Sequence, residues 1–306
     1  MEGGYHEPVM VAEVLEHLRP ERGGLYFDGT VGGGGHAAAI LGAGAAASVI
    51  GVDQDMEALK VAGVRLEPYG ERVELVNSNF AAAAESDARP LTGALLDLGV
   101  SSHQLDEAER GFSFRPGTVL DMRMSAVPGA PMAADLLNGW PESDLADVFY
   151  RYGEERRSRR LAAAVVRRRV EQPFRTSDDL NAVLERFYGP RITVQDRARI
   201  YQALRIAVND ELAVLERALI ALRDRLENSG VFVVLSYHSL EDRIVKDAFR
   251  EWSRDCICPP ELPVCRCRGA ALGRTLTRKP VMASEAEVAE NSRARSARLR
   301  AWKKAV

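Results

Sequence analysis

The sequence predicts an α/β protein with a parallel sheet and crossover helices, interrupted by a helical insertion. Short apolar runs of strand length alternate with helical segments in the first part of the chain. The alternation stops at residue 105, and a further run returns only at residues 231–235. The 306 residues are enough for one large domain and an insertion. We therefore predict a discontinuous sheet domain of residues 1–104 and 201–306, with an inserted helical domain at residues 105–200.

The first elements follow one another regularly. Apolar residues at helical spacing predict an amphipathic helix over residues 8–18. The next four apolar runs predict strands at residues 25–27, 48–52, 73–76 and 94–96. Each run ends in polar residues, and ligands of such sheets bind beyond the carboxyl ends of the strands. The residues that follow the runs are therefore candidate site residues.

The insertion and the last elements complete the chain. Residues 105–200 contain no comparable apolar run and are rich in Arg, Asp, Glu and Ala, which indicates helices. Leucines at helical spacing predict a helix over residues 210–227, and the turn signal NSG at residues 228–230 is expected to end it. Residues 231–235 are the fifth predicted strand, and residues 296–302 the last strand of an edge hairpin.

The composition indicates a globular protein without a membrane segment. Hydrophobic residues make up 46% and charged residues 28% of the chain. The apolar runs are far too short to cross a bilayer, and residues 1–6 lack the basic start and apolar core of a secretion signal. Four cysteines cluster at 256, 258, 265 and 267, with nothing else to suggest an oxidising compartment. We expect a cytoplasmic protein with reduced thiols.

Two basic regions stand out within a net charge of −3. Residues 151–175 contain nine Arg against three Glu, and residues 264–306 contain eleven Lys or Arg against three Glu. Either region could attract a polyanion by neutralising phosphates, or be a solvated helix face. Two such regions in one chain favour a nucleic-acid partner.

A glycine-rich loop and an acid suggest a cofactor site. The string DGTVGGGGH at 28–36 lies between a predicted strand and a helix, where glycines allow a ligand close to the backbone. Asp53 ends the second strand and could accept hydrogen bonds from the ribose hydroxyls of an adenosine cofactor, or be a turn or helix-cap aspartate. NAD and S-adenosylmethionine both fit this Rossmann-like arrangement. Asp28 would repel a pyrophosphate but attract an amine or sulfonium, which favours S-adenosylmethionine.

Asp97, after the fourth strand, is a candidate for the chemistry. Enzymes that methylate exocyclic amines usually place a short polar loop at this position. A cytosine amine donates its lone pair into the ring, so an acceptor of its protons helps to free that lone pair. Asp97 could be this acceptor, hold the cofactor's amine, or cap the loop. Methylation of ring carbon 5 would instead need a cysteine nucleophile, and the cysteines lie late in the chain.

Several strings resemble the RsmH (MraW) family of bacterial 16S ribosomal RNA cytosine-N4 methyltransferases. They are DGTVGGGGH at 28–36, LLDLGVSS at 95–102, QLDEAERGFSF at 104–114, LDMRM at 120–124, YGEER at 152–156, QALRIAVNDEL at 202–212, SYHSLEDRIVK at 236–246 and AENSRARSARLR at 289–300. Together these strings are highly specific, and the resemblance runs from residue 6 to about residue 300.

The resemblance implies a methyltransferase sheet with a helical insertion, bound S-adenosylmethionine, and a cytosine in the decoding centre as substrate. The implied partner is 16S ribosomal RNA within the small ribosomal subunit or its assembly intermediate. The oligomeric state stays open, with a homodimer among the alternatives. The family's cofactor residues correspond to Gly34, Gly35, His36, Asp53, Phe80, Asp97 and Gln104.

Ser236 and His238 follow the fifth strand and should face the same crevice as Asp97. They could contact the target base, which must leave any stack to reach the methyl group. The alternative is a hydrogen-bonded network that fixes the end of the strand. With Asp97, they are the predicted catalytic residues.

The cysteines form a CxC…CxC pair, and four clustered thiols suit a structural zinc site. Against zinc, ribbons usually have two residues between paired cysteines. The metal question therefore stays open, as do two other functions: an NAD-linked oxidoreductase on the same fold, and a non-catalytic cofactor- or RNA-binding protein.

Overall fold

The structure, a computed structural model, describes residues 8–100, 107–125, 129–259, 264 and 266–306. Its contacts divide the chain into two compact units. One consists of the chain up to Gly99 together with Leu212–Val306, and the other of Val100–Glu211. The limits predicted for the inserted domain, residues 105 and 200, lie inside those of the second unit.

The first unit contains an eight-stranded sheet. Its strands are β1 (Gly24–Asp28), β2 (Ala47–Asp53), β3 (Val73–Asn77), β4 (Leu91–Asp97), β5 (Leu226–Ser236), β6 (Gly273–Thr275), β7 (Val281–Met282) and β8 (Arg298–Lys304). β1 to β5 are parallel, in the order β3-β2-β1-β4-β5, which confirms the predicted parallel sheet. The chain moves outward from β1 to β3 and then returns to β4. Ligands of such sheets bind where the strand order reverses, here between β1 and β4.

The C-terminal region adds the predicted antiparallel strands at the edge of the sheet, but its last strand, β8, lies one place inside that edge. β8 pairs antiparallel with β5 on one side and with β6 on the other, while β7 also pairs with β8. The physical reason is burial on both faces, since the four consecutive residues 299–302 are all buried. A strand covered on both faces belongs in the interior of a sheet.

The helices of the described residues are divided between the two units. They are α1 (Val11–Leu18), α2 (Gly35–Ala43), α3 (Met56–Leu66), α4 (Phe80–Ser86), α5 (Ala133–Gly139), α6 (Glu142–Arg151), α7 (Ser158–Glu171), α8 (Ser177–Tyr188), α9 (Val194–Asn209), α10 (Glu211–Arg225), α11 (Ser239–Trp252) and α12 (Glu285–Glu290). Side chains cap several of them: Asp55 accepts from the N–H of Glu57 at the start of α3, and Asn79 from that of Ala81 at the start of α4. None of the described helices is long and apolar enough to cross a membrane.

The turn signal at residues 228–230 does not end α10 as predicted. α10 ends at Arg225, and these residues lie within β5. There the pairing with β4 shifts, from Leu91 opposite Leu226 to Gly93 opposite Val231. The chain uses its turn residues for an irregularity in the strand, with Ser229 at a φ of 65°.

Two hydrophobic clusters cover the two faces of the sheet. Neighbouring strand residues alternate between them: Tyr26 and Val233 belong to one cluster, and Phe27 and Val234 to the other. The second unit has its own core of helix residues, including the fully buried Phe149 and Leu161. Its helices α8 and α9 begin with Thr176 and Thr193 in capping boxes.

Candidate functional site

Polar side chains follow the parallel strands at one edge of the sheet. Asp28 ends β1, Asp53 ends β2, Asp97 ends β4 and Ser236 ends β5. Asp28 and Asp97 therefore flank the point at which the strand order reverses. Main-chain hydrogen bonds lock the two strand ends together, since the N–H of Gly29 donates to the Leu95 oxygen over 3.0 Å.

The glycine loop wraps from β1 into α2. Gly34 precedes the helix with a φ of 81°, a conformation that favours glycine, and a Cβ there would lie 3.2 Å from Leu66. Gly35 begins α2, and His36 follows it. The first N–H groups of a helix have no intrahelical partner, so this end of α2 can receive a carboxylate of a ligand.

Asp53 connects this loop to the end of β2. Its Oδ2 accepts from the N–H of Gly32 over 2.9 Å, and its Oδ1 from the N–H of Asp55 over 2.9 Å. Asp55 caps α3, so the alternative in which Asp53 is a helix-cap aspartate does not hold. Burial raises the pKa of Asp53, against the two N–H donors, which lower it. Each carboxylate oxygen has a second lone pair that can accept from a ribose hydroxyl.

Asp28 is a buried carboxylate with an unused oxygen. It is 1% exposed; its Oδ1 accepts from the N–H of Thr30, while Oδ2 has no hydrogen-bond partner among the described residues. Burial raises the pKa of Asp28 to about 6, although His36 and the Thr30 N–H lower it. Asp97 and Asp53 raise it further, so three carboxylates act on one another here. A buried acceptor without a donor is costly unless a ligand supplies one.

Asp97 is held from three sides at the end of β4. The Tyr237 hydroxyl donates to Oδ1 over 2.7 Å, and the Asp97 N–H donates to the Thr30 hydroxyl over 2.7 Å. Nδ1 of His36 lies 3.7 Å from Oδ2. Burial raises the pKa of Asp97, which His36 and the Tyr237 hydrogen bond lower and Glu241 raises. The side chain is 22% exposed, so the carboxylate is fixed yet accessible.

His36 is a buried histidine with a defined orientation. Its Nε2 lies 2.9 Å from the carbonyl oxygen of Val9. Because a carbonyl only accepts, Nε2 carries the hydrogen. Nδ1 is thereby turned towards Asp97.

The remaining predicted cofactor residues are Phe80 and Gln104. Phe80 begins α4 and is partly buried against the core of the sheet, beside Gly29 of the glycine loop. This is compatible both with packing against an adenine and with an ordinary core aromatic. Gln104 lies outside the described residues.

Ser236 and His238 are both engaged within the first unit. Ser236 is 1% exposed, and its hydroxyl donates to the Arg298 oxygen on β8 over 3.4 Å. His238 caps α11, with Nε2 3.0 Å from Oε1 of Glu241. These contacts match the alternative of a network that fixes the strand end, and the contacts predicted with the base remain a prediction.

Tyr237 and Thr30 are site residues that the sequence reasoning missed. Both stand inside strings already singled out, but their partner, Asp97, is distant in the sequence. Burial raises the pKa of Tyr237, and the neighbouring Asp97 adds to this effect, so the hydroxyl stays protonated and donates. The sequence places Tyr237 directly after the fifth predicted strand, but it does not show that this strand neighbours the one that ends at Asp97.

The arginines of the second unit divide into structural and exposed ones. Arg168 lies 3.2 Å from Asp179, and Arg169 donates to the carbonyl oxygens of Leu137 and Trp140 at 3.2 and 2.7 Å. By contrast, four of the arginines between residues 156 and 169 are exposed and form no ion pair among the described residues: Arg156, Arg159, Arg160 and Arg167. We call these four the exposed arginine group.

The arginines at 293, 295, 298 and 300 belong to the C-terminal basic region, but they are not all available to a polyanion. Arg293 and Arg295 lie in the 3-10 helix Ser292–Ser296 that precedes β8. Arg300 is 6% exposed and forms two hydrogen bonds with Asp242, of 2.6 and 3.1 Å. Because its charge is paired and buried, Arg300 is not available to a phosphate.

The residues at the strand ends fit S-adenosylmethionine. The unpartnered Oδ2 of Asp28 suits a cationic amine or sulfonium and would repel a pyrophosphate. Asp53 suits ribose hydroxyls, and the start of α2 suits the carboxylate of an amino acid. Fold and site together define an α/β enzyme that binds an adenosine cofactor with a positively charged group.

Comparison with known proteins gives the family. A family model described as the MraW methylase family matches residues 4–305. Proteins named ribosomal RNA small subunit methyltransferase H from Gemmatimonas aurantiaca and Geotalea uraniireducens are each 51% identical to this chain. The alignments cover 99% of this chain and 96% of the first relative, and 98% of this chain and 98% of the second. The chain belongs to the MraW methylase family, which confirms the resemblance. It is an S-adenosylmethionine-dependent methyltransferase, so the NAD-linked and non-catalytic alternatives are excluded.

The raised pKa of Asp28 predicts pH-dependent cofactor binding. A bound cation favours the ionised carboxylate, so affinity should be lost as the pH falls through the pKa of about 6. At pH 5 the carboxylate is about one-tenth ionised, and affinity should be about tenfold weaker than at pH 7.5. Calorimetric titration with S-adenosylmethionine across this range measures the effect. Asp28→Asn should bind weakly at every pH, and an equally steep pH dependence in that variant would show that another group is responsible.

Proposed function

We propose that this methyltransferase transfers the methyl group of S-adenosylmethionine to the exocyclic amine, N4, of a cytosine in the decoding centre of 16S ribosomal RNA. The names of the relatives support a ribosomal RNA of the small subunit as the substrate. Such a substrate makes the cytoplasm the place of action. The RNA is bound within the small subunit or its assembly intermediate. A homodimer stays a prediction.

The position of Asp97 is the observation that carries this proposal. It lies at the reversal of strand order, is accessible, and is fixed by Tyr237 at 2.7 Å. A carboxylate there can accept a hydrogen bond from the amine of the target base. Withdrawal of that proton frees the nitrogen lone pair, and the carboxylate balances the positive charge that the nitrogen gains during transfer. The proton then passes through the carboxylate to solvent.

The other residues at the ends of the parallel strands bind and orient the cofactor and the target base. When bound, S-adenosylmethionine supplies an electrophilic methyl group on its sulfonium. The start of α2, at Gly34, Gly35 and His36, would hold its carboxylate, and Asp53 its ribose. Asp28 would hold positive charge, and Phe80 would pack against the adenine. Gln104 stays a predicted cofactor residue, and Ser236 and His238 stay predicted contacts of the base.

The Asp97–Tyr237 pair favours the amine over ring carbon 5 as the acceptor. Methylation of carbon 5 requires a thiolate that attacks the ring. The strand ends instead present carboxylates, a histidine and a tyrosine. No cysteine is among the residues of these strands.

The experiment that tests the proposal is in vitro methylation with a labelled methyl group. Purified protein is incubated with S-adenosylmethionine carrying a deuterated methyl and with small subunits that lack the modification. The RNA is digested to nucleosides and separated by liquid chromatography before mass spectrometry. The proposal predicts the label in N4-methylcytidine. Label in 5-methylcytidine, or in a nucleoside other than cytidine, would show that the assigned acceptor atom is wrong.

Tyr237→Phe should shift the acidic limb of the pH–rate profile. In the wild type, the 2.7 Å hydrogen bond from the Tyr237 hydroxyl lowers the pKa of Asp97. The variant loses this hydrogen bond. The pKa of Asp97 should therefore rise, and because activity needs the ionised form, the acidic limb should move to higher pH. The rate constant of a single turnover, measured between pH 5 and 9, gives the limb. A uniform loss of rate without a shift would mean that Tyr237 acts only by packing.

A further inference from the structure

We call the segment between α11 and β6, residues 253–272, the excursion, and its described residues lack the usual sources of order. The chain leaves α11 at Trp252 and closes the excursion at Leu272, whose N–H donates to the Trp252 oxygen over 2.8 Å. Of its described residues, none lies in a helix or strand and none is buried. Ile257 and Val264 are even 39% and 68% exposed. No described residue of this segment is fully buried in a hydrophobic core, so its order needs another source.

Three thiols meet within this excursion. The Sγ atoms of Cys256, Cys258 and Cys267 all lie within 4.8 Å of one another. Those of Cys256 and Cys267 are 3.8 Å apart, far beyond a disulfide bond of about 2.05 Å. Tetrahedral geometry with zinc–sulfur bonds of about 2.3 Å places sulfurs about 3.8 Å apart. The spacing of these two sulfurs is thus that of two ligands of one tetrahedral zinc ion.

Main-chain N–H groups point at two of these sulfurs. The Ile257 N–H donates to the Cys267 sulfur, and the Arg266 N–H to the Cys258 sulfur, each over 3.3 Å. The excursion has two described arms, residues 253–259 and 266–272. A main-chain N–H of each arm therefore donates to a sulfur of the other arm. These contacts hold the sulfurs of Cys258 and Cys267 in place.

We propose that Cys256, Cys258 and Cys267 bind a structural zinc ion that holds the two arms of the excursion together. The one-residue spacing within each CxC does not prevent this, because the ligands come from both arms. Each coordinating thiol releases its proton to solvent on binding. Thiolate ligands select zinc or other soft cations over magnesium and calcium. The zinc ion takes no part in methyl transfer, because the three cysteines belong to none of the strand ends that form the cofactor site. Cys265, the fourth thiol of the sequence pattern, lies outside the described residues.

The test begins with the metal content of the protein purified without chelator. Elemental analysis should find about one zinc ion per chain. Cys256→Ser with Cys258→Ser should remove it, while the matched control Val264→Ser, an exposed side chain of the same excursion, should keep it. The double variant should become sensitive to proteolysis within residues 253–272 but bind S-adenosylmethionine as tightly as the wild type.

A second measurement covers the case in which the double variant fails to fold. Wild-type protein stripped of metal and titrated with Co²⁺ should develop sulfur-to-cobalt charge-transfer absorption and the intense red bands of a tetrahedral site. The proposal would be overturned if the wild type contained no more zinc than a folded double variant. Iron in place of zinc, or a Co²⁺ titration without thiolate bands, would overturn it as well.

Discussion

Asp97→Asn is expected to lower the rate constant of methyl transfer by about 10²–10³-fold, the loss typical of removing one group that stabilises charge in a transition state. Asparagine keeps the shape of the side chain and can still accept from Tyr237. It cannot take up a proton or balance the charge on the amine nitrogen. The measurement is single-turnover methylation of small subunits at saturating cofactor.

The fold and the cofactor site should survive this substitution. Burial raises the pKa of Asp97, so its ionised form is disfavoured in the folded protein, and the neutral asparagine should not lower the melting temperature. The matched control is Asp53→Asn, which should weaken cofactor binding more than it slows transfer. If Asp97→Asn instead weakened cofactor binding and left the transfer rate intact, Asp97 would hold the cofactor's amine.

Replacing the exposed arginine group with glutamine should weaken RNA binding and flatten its salt dependence. Each lost phosphate contact reduces the slope of log K against log salt by about 0.7–0.9, so four lost contacts reduce it by about three. Affinity should fall at least about tenfold near 0.1 M salt. The proposal rests on the exposure of Arg156, Arg159, Arg160 and Arg167, none of which pairs with an acid among the described residues.

The matched control is Arg168→Gln with Arg169→Gln on the same helix, α7. These two arginines bind Asp179 and the carbonyl oxygens of Leu137 and Trp140. Their loss should lower the melting temperature and leave the salt slope close to that of the wild type. A folded variant of the exposed arginine group with an unchanged slope would place the RNA path elsewhere on the chain.

What the sequence could predict depended on how local each signal was. The five parallel strands were predictable because each is a short apolar run that ends in polar residues. The glycine loop and Asp53 were predictable because their spacing is set by one strand–helix–strand unit. The pairing of Asp97 with Tyr237 was not, since it depends on which strands become neighbours and in what register.

The C-terminal region also shows that local sequence patterns do not reveal which distant residues pair. Alternating arginines before and within β8 suggested a basic surface, yet Arg300 forms a buried pair with Asp242, whose position on α11 no local pattern reveals. The NSG signal at residues 228–230 was a true departure from regular structure. It falls in a shifted register between β4 and β5, because a bulge and a turn use the same residue types.

The central claim, methylation of a cytosine amine in 16S ribosomal RNA, is tested most directly on cellular RNA. Small-subunit RNA is isolated from cells that carry the wild-type gene, no gene, or Asp97→Asn, and its nucleosides and fragments are mapped by mass spectrometry. We expect a cytidine with a methyl group on N4 in the wild type only, with the unmethylated nucleoside in the other two. An identical methylation pattern in all three, or the loss of a methyl group from a different atom, would contradict the claim.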